Sequence, residues 1–98
     1  MDISVENDEK GRQFHAEVDG HRAHLDYVRH PDGTLDLIHT EVDPALRGKG
    51  VGEAVVRFAF DAARSGGFKL IPTCPFVKKF VERHPEYADL VTHRGSAL

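Results

Sequence analysis

The spacing of apolar residues changes once along this chain, and that change dictates the kind of fold. Before residue 43 apolar positions alternate with polar ones: Phe14, Ala16 and Val18 fall on one face of a strand, Gln13, His15 and Glu17 on the other. After residue 50 they recur at helical spacing, with Val51, Val55, Phe58 and Ala62 on one face and Glu53, Arg57 and Asp61 on another at i,i+4. A period of two requires a sheet, and a period of about 3.6 requires a helix. The chain must therefore build strands first and then lay helices against them.

Within the first part, Asp19-Gly20 is a two-residue turn flanked by alternation, the strongest local signal for a tight hairpin. Folding there opposes Val18 to His21, Glu17 to Arg22, Ala16 to Ala23, His15 to His24 and Phe14 to Leu25. Apolar then meets apolar and opposite charges meet, so the register supports itself. Ile3 and Val5 place a first strand over residues 2–6, with a turn at residues 7–11. His30-Pro31-Asp32-Gly33 is a second turn, and residues 34–42 form the fourth strand. The helix beyond is expected over residues 49–64, stopping at Ser65-Gly66-Gly67. Residues 68–71 return as a short strand. Cys74-Pro75 opens a second helix with Pro at its first position, an apolar stripe of Phe76, Val77, Phe80 and Val81, and an end near His84 before Pro85. Residues 87–91 are read as a closing strand or a helical turn, with the strand preferred. The expected fold is α+β: an antiparallel meander, a β-α-β crossover and a C-terminal helix.

At 98 residues the chain has room for one domain, residues 1–98, and no second lobe. Thirteen Lys and Arg against 16 Asp and Glu leave a net charge of −3, which argues against a surface built to coat nucleic acid. No apolar run approaches the ~20 residues of a bilayer span and no secretory leader opens the chain, so a cytoplasmic protein without a membrane partner is expected. One cysteine makes no internal disulfide and suits a reducing compartment. No metal site is expected either: His15 and His24 face each other in the hairpin but lack a third ligand nearby in sequence.

The most informative stretch is Val42-Asp43-Pro44-Ala45-Leu46-Arg47-Gly48-Lys49-Gly50-Val51-Gly52-Glu53, between strand and helix. Alternating glycines let backbone N–H groups turn toward one point, and the helix N-terminus adds the positive end of its dipole. With Arg47 and Lys49 alongside, the natural ligand is a phosphate or pyrophosphate. It is not a Walker A loop, because no Gly-Lys is followed by Ser or Thr. It is not a dinucleotide fingerprint, because the third glycine position falls on Glu53 or Val55. The plain alternative is that the glycines merely permit a tight connection.

Arg47-Gly48-Lys49-Gly50-Val51-Gly52 resembles the Arg/Gln-x-x-Gly-x-Gly/Ala motif of the GCN5-related N-acetyltransferases, and Val42-Asp43-Pro44 resembles the Val-x-Pro leading into it. His39-Thr40-Glu41-Val42, Cys74-Pro75-Phe76 and His84-Pro85-Glu86-Tyr87 are similar to a subgroup of minimal members, so the resemblance covers most of the chain. It implies acetyl-CoA as cosubstrate. The pyrophosphate would lie on Arg47, Gly48, Lys49, Gly50, Val51 and Gly52, and the pantetheine and acetyl carbonyl along Thr40, Glu41 and Val42. It also implies that the helices which larger members carry between their first two strands are missing, since only residues 7–11 separate those strands here. Those helices normally wall the acceptor site. The CoA half is thus expected intact and the acceptor half reduced.

Larger members often protonate the departing thiolate with a tyrosine in the last helix. The segment from Phe76 to Val81 has none, and Tyr87 lies past Pro85. The candidates are then Cys74 and His39. Cys74 sits at the N-cap of a helix, where the dipole favours a thiolate; it either accepts the acetyl group, acts as the acid for CoA, or is a small buried residue. His39 is placed on one face with Leu37 and Glu41, and the His39/Glu41 pair either assists proton transfer or is structural. Lys78, Lys79 and Arg83 are either a solvated face or a contact for the adenosine phosphate of CoA. Three functions compete: an acetyltransferase acting on an unidentified amine acceptor, a non-catalytic acetyl-CoA-binding module, and a small partner-binding protein with a vestigial loop.

Overall fold

Asp19 and Gly20 both adopt positive φ (52° and 81°), the conformation a two-residue hairpin turn requires, and all five expected cross-strand pairs form around them. The computed structural model describes residues 3–92. Five strands, β1 (Val5–Asp8), β2 (Gln13–Val18), β3 (His21–Arg29), β4 (Leu35–Val42) and β5 (Leu70–Ile71), lie side by side in chain order. The first four are antiparallel, and β5 joins β4 in parallel. Helices α1 (Val51–Gly66) and α2 (Pro75–Arg83) follow, with short 3-10 segments at Pro44–Leu46 and Pro85–Leu90. The fold is α+β, as expected, and residues 9–12 are the whole connection between β1 and β2.

Three local expectations are corrected. The first strand lies at Val5–Asp8 rather than residues 2–6, because the Asp8 carboxylate accepts from the Gly11 N–H at 3.0 Å and draws the turn to residues 9–12. Residue 2 lies outside the described residues. The closing segment is not a strand over residues 87–91. Pro85 starts a 3-10 helix that turns Tyr87 onto Phe60 and Phe80, and only Val91 reaches the sheet, as a single bridge to Leu70. The buried face of α1 is centred on Val55, Val56, Ala59, Phe60 and Ala63, while Phe58 stands at its flank with its ring edge on Phe14.

The fourth correction matters most for the site. Asp26 pairs with His39 but Tyr27 pairs with Leu37, so Ile38 is an extra residue in β4, a β-bulge. Alternation is broken there. Leu35 and Leu37 point into the core, whereas His39 and Glu41 point outward and Thr40 and Val42 turn back toward the helices. His39 therefore shares a face with Glu41 but not with Leu37.

The α1 helix packs across β1 to β4, and α2 and the second 3-10 segment pack on α1. Both helices thus lie on one side of the sheet. Among the described residues none is long and apolar enough to cross a membrane. The Tyr87 hydroxyl donates to Asp61 Oδ1 at 2.7 Å and accepts from Arg57 at 3.4 Å. Tyr87→Phe removes both of these bonds, but the Asp61 carboxylate is exposed and water can replace its donor, so urea unfolding of that variant is expected to give a stability lower by about 0.5–1.5 kcal/mol.

Candidate functional site

The loop between β4 and α1 is held from below. Asp43 Oδ1 accepts from the Ala45 N–H at 2.9 Å and its other oxygen lies 3.1 Å from His21 Nδ1. The Ala45 N–H first, then His21, holds the Asp43 carboxyl below its usual range. Leu46 is inserted into the core, and its carbonyl accepts from the Lys49 N–H at 3.2 Å. Above this anchor the three glycines meet two different demands. Gly48 and Gly50 both have φ of 77°, with open space around the position a Cβ would take; they are needed for conformation. Gly52 is needed for room: a Cβ there would lie 2.8 Å from Val42 Cγ2 and 3.1 Å from Phe76 Cζ.

Gly50 caps α1 with no side-chain acceptor, so the first N–H groups of the helix have no internal partner. The start of α2 comes up against the same point through Phe76. Between these two helix starts and β4 lies a groove of about 390 Å³. Every expected binding residue lines it except Glu41 and Lys49: Thr40, Val42, Arg47, Gly48, Gly50, Val51 and Gly52 are brought together. Glu41 points to the other face of the sheet.

One wall of this groove is an unpaired strand edge. β5 pairs with β4 only at Leu35↔Leu70 and Asp36↔Ile71, and the last tie is the Cys74 N–H to the Leu37 carbonyl at 2.9 Å. From His39 to Val42 no strand lies on that side of β4 among the described residues. A ligand with its own amides finds backbone partners there.

Cys74 is the N-cap of α2 and only 5% exposed, standing behind Thr40, to whose Oγ1 its thiol donates at 3.4 Å. Burial pushes the thiol pKa up, but the Thr40 hydroxyl and the backbone N–H groups of Val77 and Phe76 outweigh it, and the net direction is down. His39 is 59% exposed on the opposite face, 3.5 Å from Glu41, whose same oxygen is 3.6 Å from His24. The hollow that contains His39, His24 and Glu41 also touches Thr40, Val42 and Arg47, so the groove and this hollow border the same end of β4. The structure thus brings Cys74 to the groove side of β4 and His39 to the far side. Among the described residues no group of three His, Cys, Asp or Glu side chains is arranged to hold a metal ion.

Two participants were not singled out from the sequence. Phe76, read there as part of a core stripe, is 42% exposed and walls the groove. Glu53, read as part of a polar helical face with Arg57 and Asp61, accepts from His84 Nε2 at 2.9 Å and from Arg57 at 3.4 Å. The only sequence signal for the first was its place right after a helix-opening proline. Tyr87 does not reach the groove; its hydroxyl is engaged with Asp61, which raises its pKa ahead of burial.

The profile of a family described as GCN5-related N-acetyl-transferase matches residues 13–90. Protein NATD1 of Danio rerio is 36% identical over 101 residues, covering 95% of this chain and 92% of that protein. The Homo sapiens protein of the same name is 35% identical over 85 residues, covering 85% and 75% respectively. A GCN5-like protein of Staphylococcus aureus, solved by NMR, superposes with a TM-score of 0.69 at 27% identity, covering 91% of this chain and 87% of that one.

Proposed function

Since the chain belongs to the GCN5-related N-acetyltransferase family, we propose that it binds acetyl-CoA in the β4/α1/α2 groove and transfers the acetyl group to an amine acceptor. The observation that carries this reading is the meeting of an uncapped helix start, built on Gly48 and Gly50, with the unpaired edge of β4. The first suits a pyrophosphate, because unsatisfied N–H groups and the helix dipole both favour an anion. The second suits the amides of a pantetheine arm. Arg47 adds charge at the mouth, and Thr40 and Val42 line the slot in which the thioester would lie.

Cys74 is the nucleophile in this proposal. Its sulfur attacks the thioester carbonyl carbon, the bond from that carbon to the CoA sulfur breaks, and the thiol proton of Cys74 ends on CoA. An amine then attacks the new Cys74 thioester, the bond from its carbonyl carbon to the Cys74 sulfur breaks, and Cys74 leaves as a thiolate. The amine proton passes through solvent to His39, which Glu41 orients from the far side of β4, and solvent returns a proton to the Cys74 sulfur. The lowered thiol pKa supports the first step, and the sharing of Thr40, Val42 and Arg47 by the two hollows supports the second.

Intact-mass spectrometry after incubation with acetyl-CoA tests the assignment. An added acetyl group is expected on the wild-type chain and not on Cys74→Ala. If titration calorimetry detects saturable binding but no acetyl adduct forms and no amine is turned over, the chain is a binding module. The 5% exposure of Cys74 and the lack of a tyrosine acid favour that second reading. Absence of binding sinks both.

A further inference from the structure

Beside the groove lies a second, smaller hollow of about 270 Å³ between α1 and α2, sharing Phe76 and Glu53 with it. Its distinctive lining is Lys79 and Arg83, four residues apart on α2. Like charges at that spacing repel and weaken a helix. Neither has an ion-pair or hydrogen-bond partner among the described residues. Acids stand nearby but are turned elsewhere: Glu82 lines a different depression with Lys78, Glu86 pairs with His84, and Glu53 is held by His84 and Arg57. Two cations kept together, unpaired and beside a neutralised carboxylate, make a site for an anion carrying more than one charge.

Resting on the acetyl-CoA reading, we infer that this hollow receives the 3′-phosphate of the CoA adenosine, with Lys79 and Arg83 as its ligands. With the pyrophosphate on residues 47–52, the 3′-phosphate is the remaining anionic group of CoA, and only a ribose separates the two. Phe76 stands between the groove and the hollow with an exposed ring, an apolar flank past which a nucleoside can run. The site therefore distinguishes CoA from its analogue lacking that phosphate.

The test is calorimetric titration of CoA and of 3′-dephospho-CoA into the wild-type protein and into Lys79→Gln, Arg83→Gln, the double variant and Lys78→Gln. The wild type should bind CoA at least about ten-fold more tightly, as expected for charge-assisted contacts to one phosphate. In the double variant CoA affinity should fall to that of dephospho-CoA, with each single variant between. Dephospho-CoA affinity should stay within about two-fold throughout, because the lost contacts were never made to it. Lys78→Gln, on the other side of α2, should keep the wild-type preference, and the preference should shrink with added salt. Equal wild-type affinity for the two ligands overturns the inference, as does a double variant that weakens both by the same factor. Failure of the wild type to bind either ligand overturns the acetyl-CoA reading itself, and this one with it.

Discussion

Gly50→Glu is expected to abolish acetyl-CoA binding, weakening it by at least about a hundred-fold, while the chain still folds. The position sits at φ 77° and ψ 10°, where an L-residue costs about 1–2 kcal/mol. A Cβ there would meet nothing within 4 Å, so no clash adds to that cost. The damage falls on the ligand. The new carboxylate would project from the cap of α1, next to the N–H groups assigned to the pyrophosphate, and would compete for them as a like charge. Gly50→Ala separates the two contributions, because it carries the strain without the charge; it should lose only a small part of the affinity. Calorimetric titration alongside a thermal melt decides the matter. A Gly50→Glu variant that melts near the wild type and still binds would show that the phosphate does not lie on this cap.

Gly52→Ala is expected to destabilise the fold by about 1 kcal/mol net, even though alanine is the better helix former by roughly 1 kcal/mol. Two opposed effects set the sign. Propensity favours the change, but the added methyl would lie 2.8 Å from Val42 Cγ2 and 3.1 Å from Phe76 Cζ. The half-exposed Phe76 ring can swing aside. Val42 cannot, because its χ1 is stiff and its backbone is fixed by pairing with Ala23. Overpacking of this kind costs about 1–3 kcal/mol, so it exceeds the propensity gain. Urea unfolding of Gly52→Ala, Val42→Ala and the double variant measures the contact as a coupling, expected above about 0.5 kcal/mol and relieving. A Gly52→Ala variant as stable as the wild type would mean that this glycine serves the loop's conformation and not the approach of α1 to β4.

What was legible in the sequence was whatever local chemistry decides. The Asp19-Gly20 turn selected one register, and the pairs from Phe14↔Leu25 to Val18↔His21 follow from it. The glycines of residues 48–52 announced a tight strand-to-helix turn, which Gly48 and Gly50 make at positive φ, and seven of the nine expected binding residues line one groove. What was not legible depends on partners far along the chain. The residues from Leu35 to Val42 carry no mark that Ile38 is supernumerary, because a bulge is defined only against the opposite strand, here Asp26 and Tyr27. Likewise the helical period of α1 allowed a face through Phe58 as well as the one through Phe60. The rings of Phe80 and Tyr87, brought in by α2 and the last 3-10 turn, decide for Phe60. The segment after Pro85 has strand-like residues, yet burying Tyr87 outweighs a strand that could pair only with the two residues of β5.

The bulge at Ile38 has a consequence for traffic. By shifting the alternation by one residue, it sends Thr40 to the groove side and His39 to the outer side of the strand, and the polypeptide between groove and outer hollow is a single backbone thick. On the proposed reading the nucleotide thioester and the amine use separate doors. Spent CoA then has no reason to leave before the next acceptor arrives, and the acceptor's door needs no lid to keep it from the nucleotide's. The strand itself is then the partition, and one inserted residue decides which side chain serves which door.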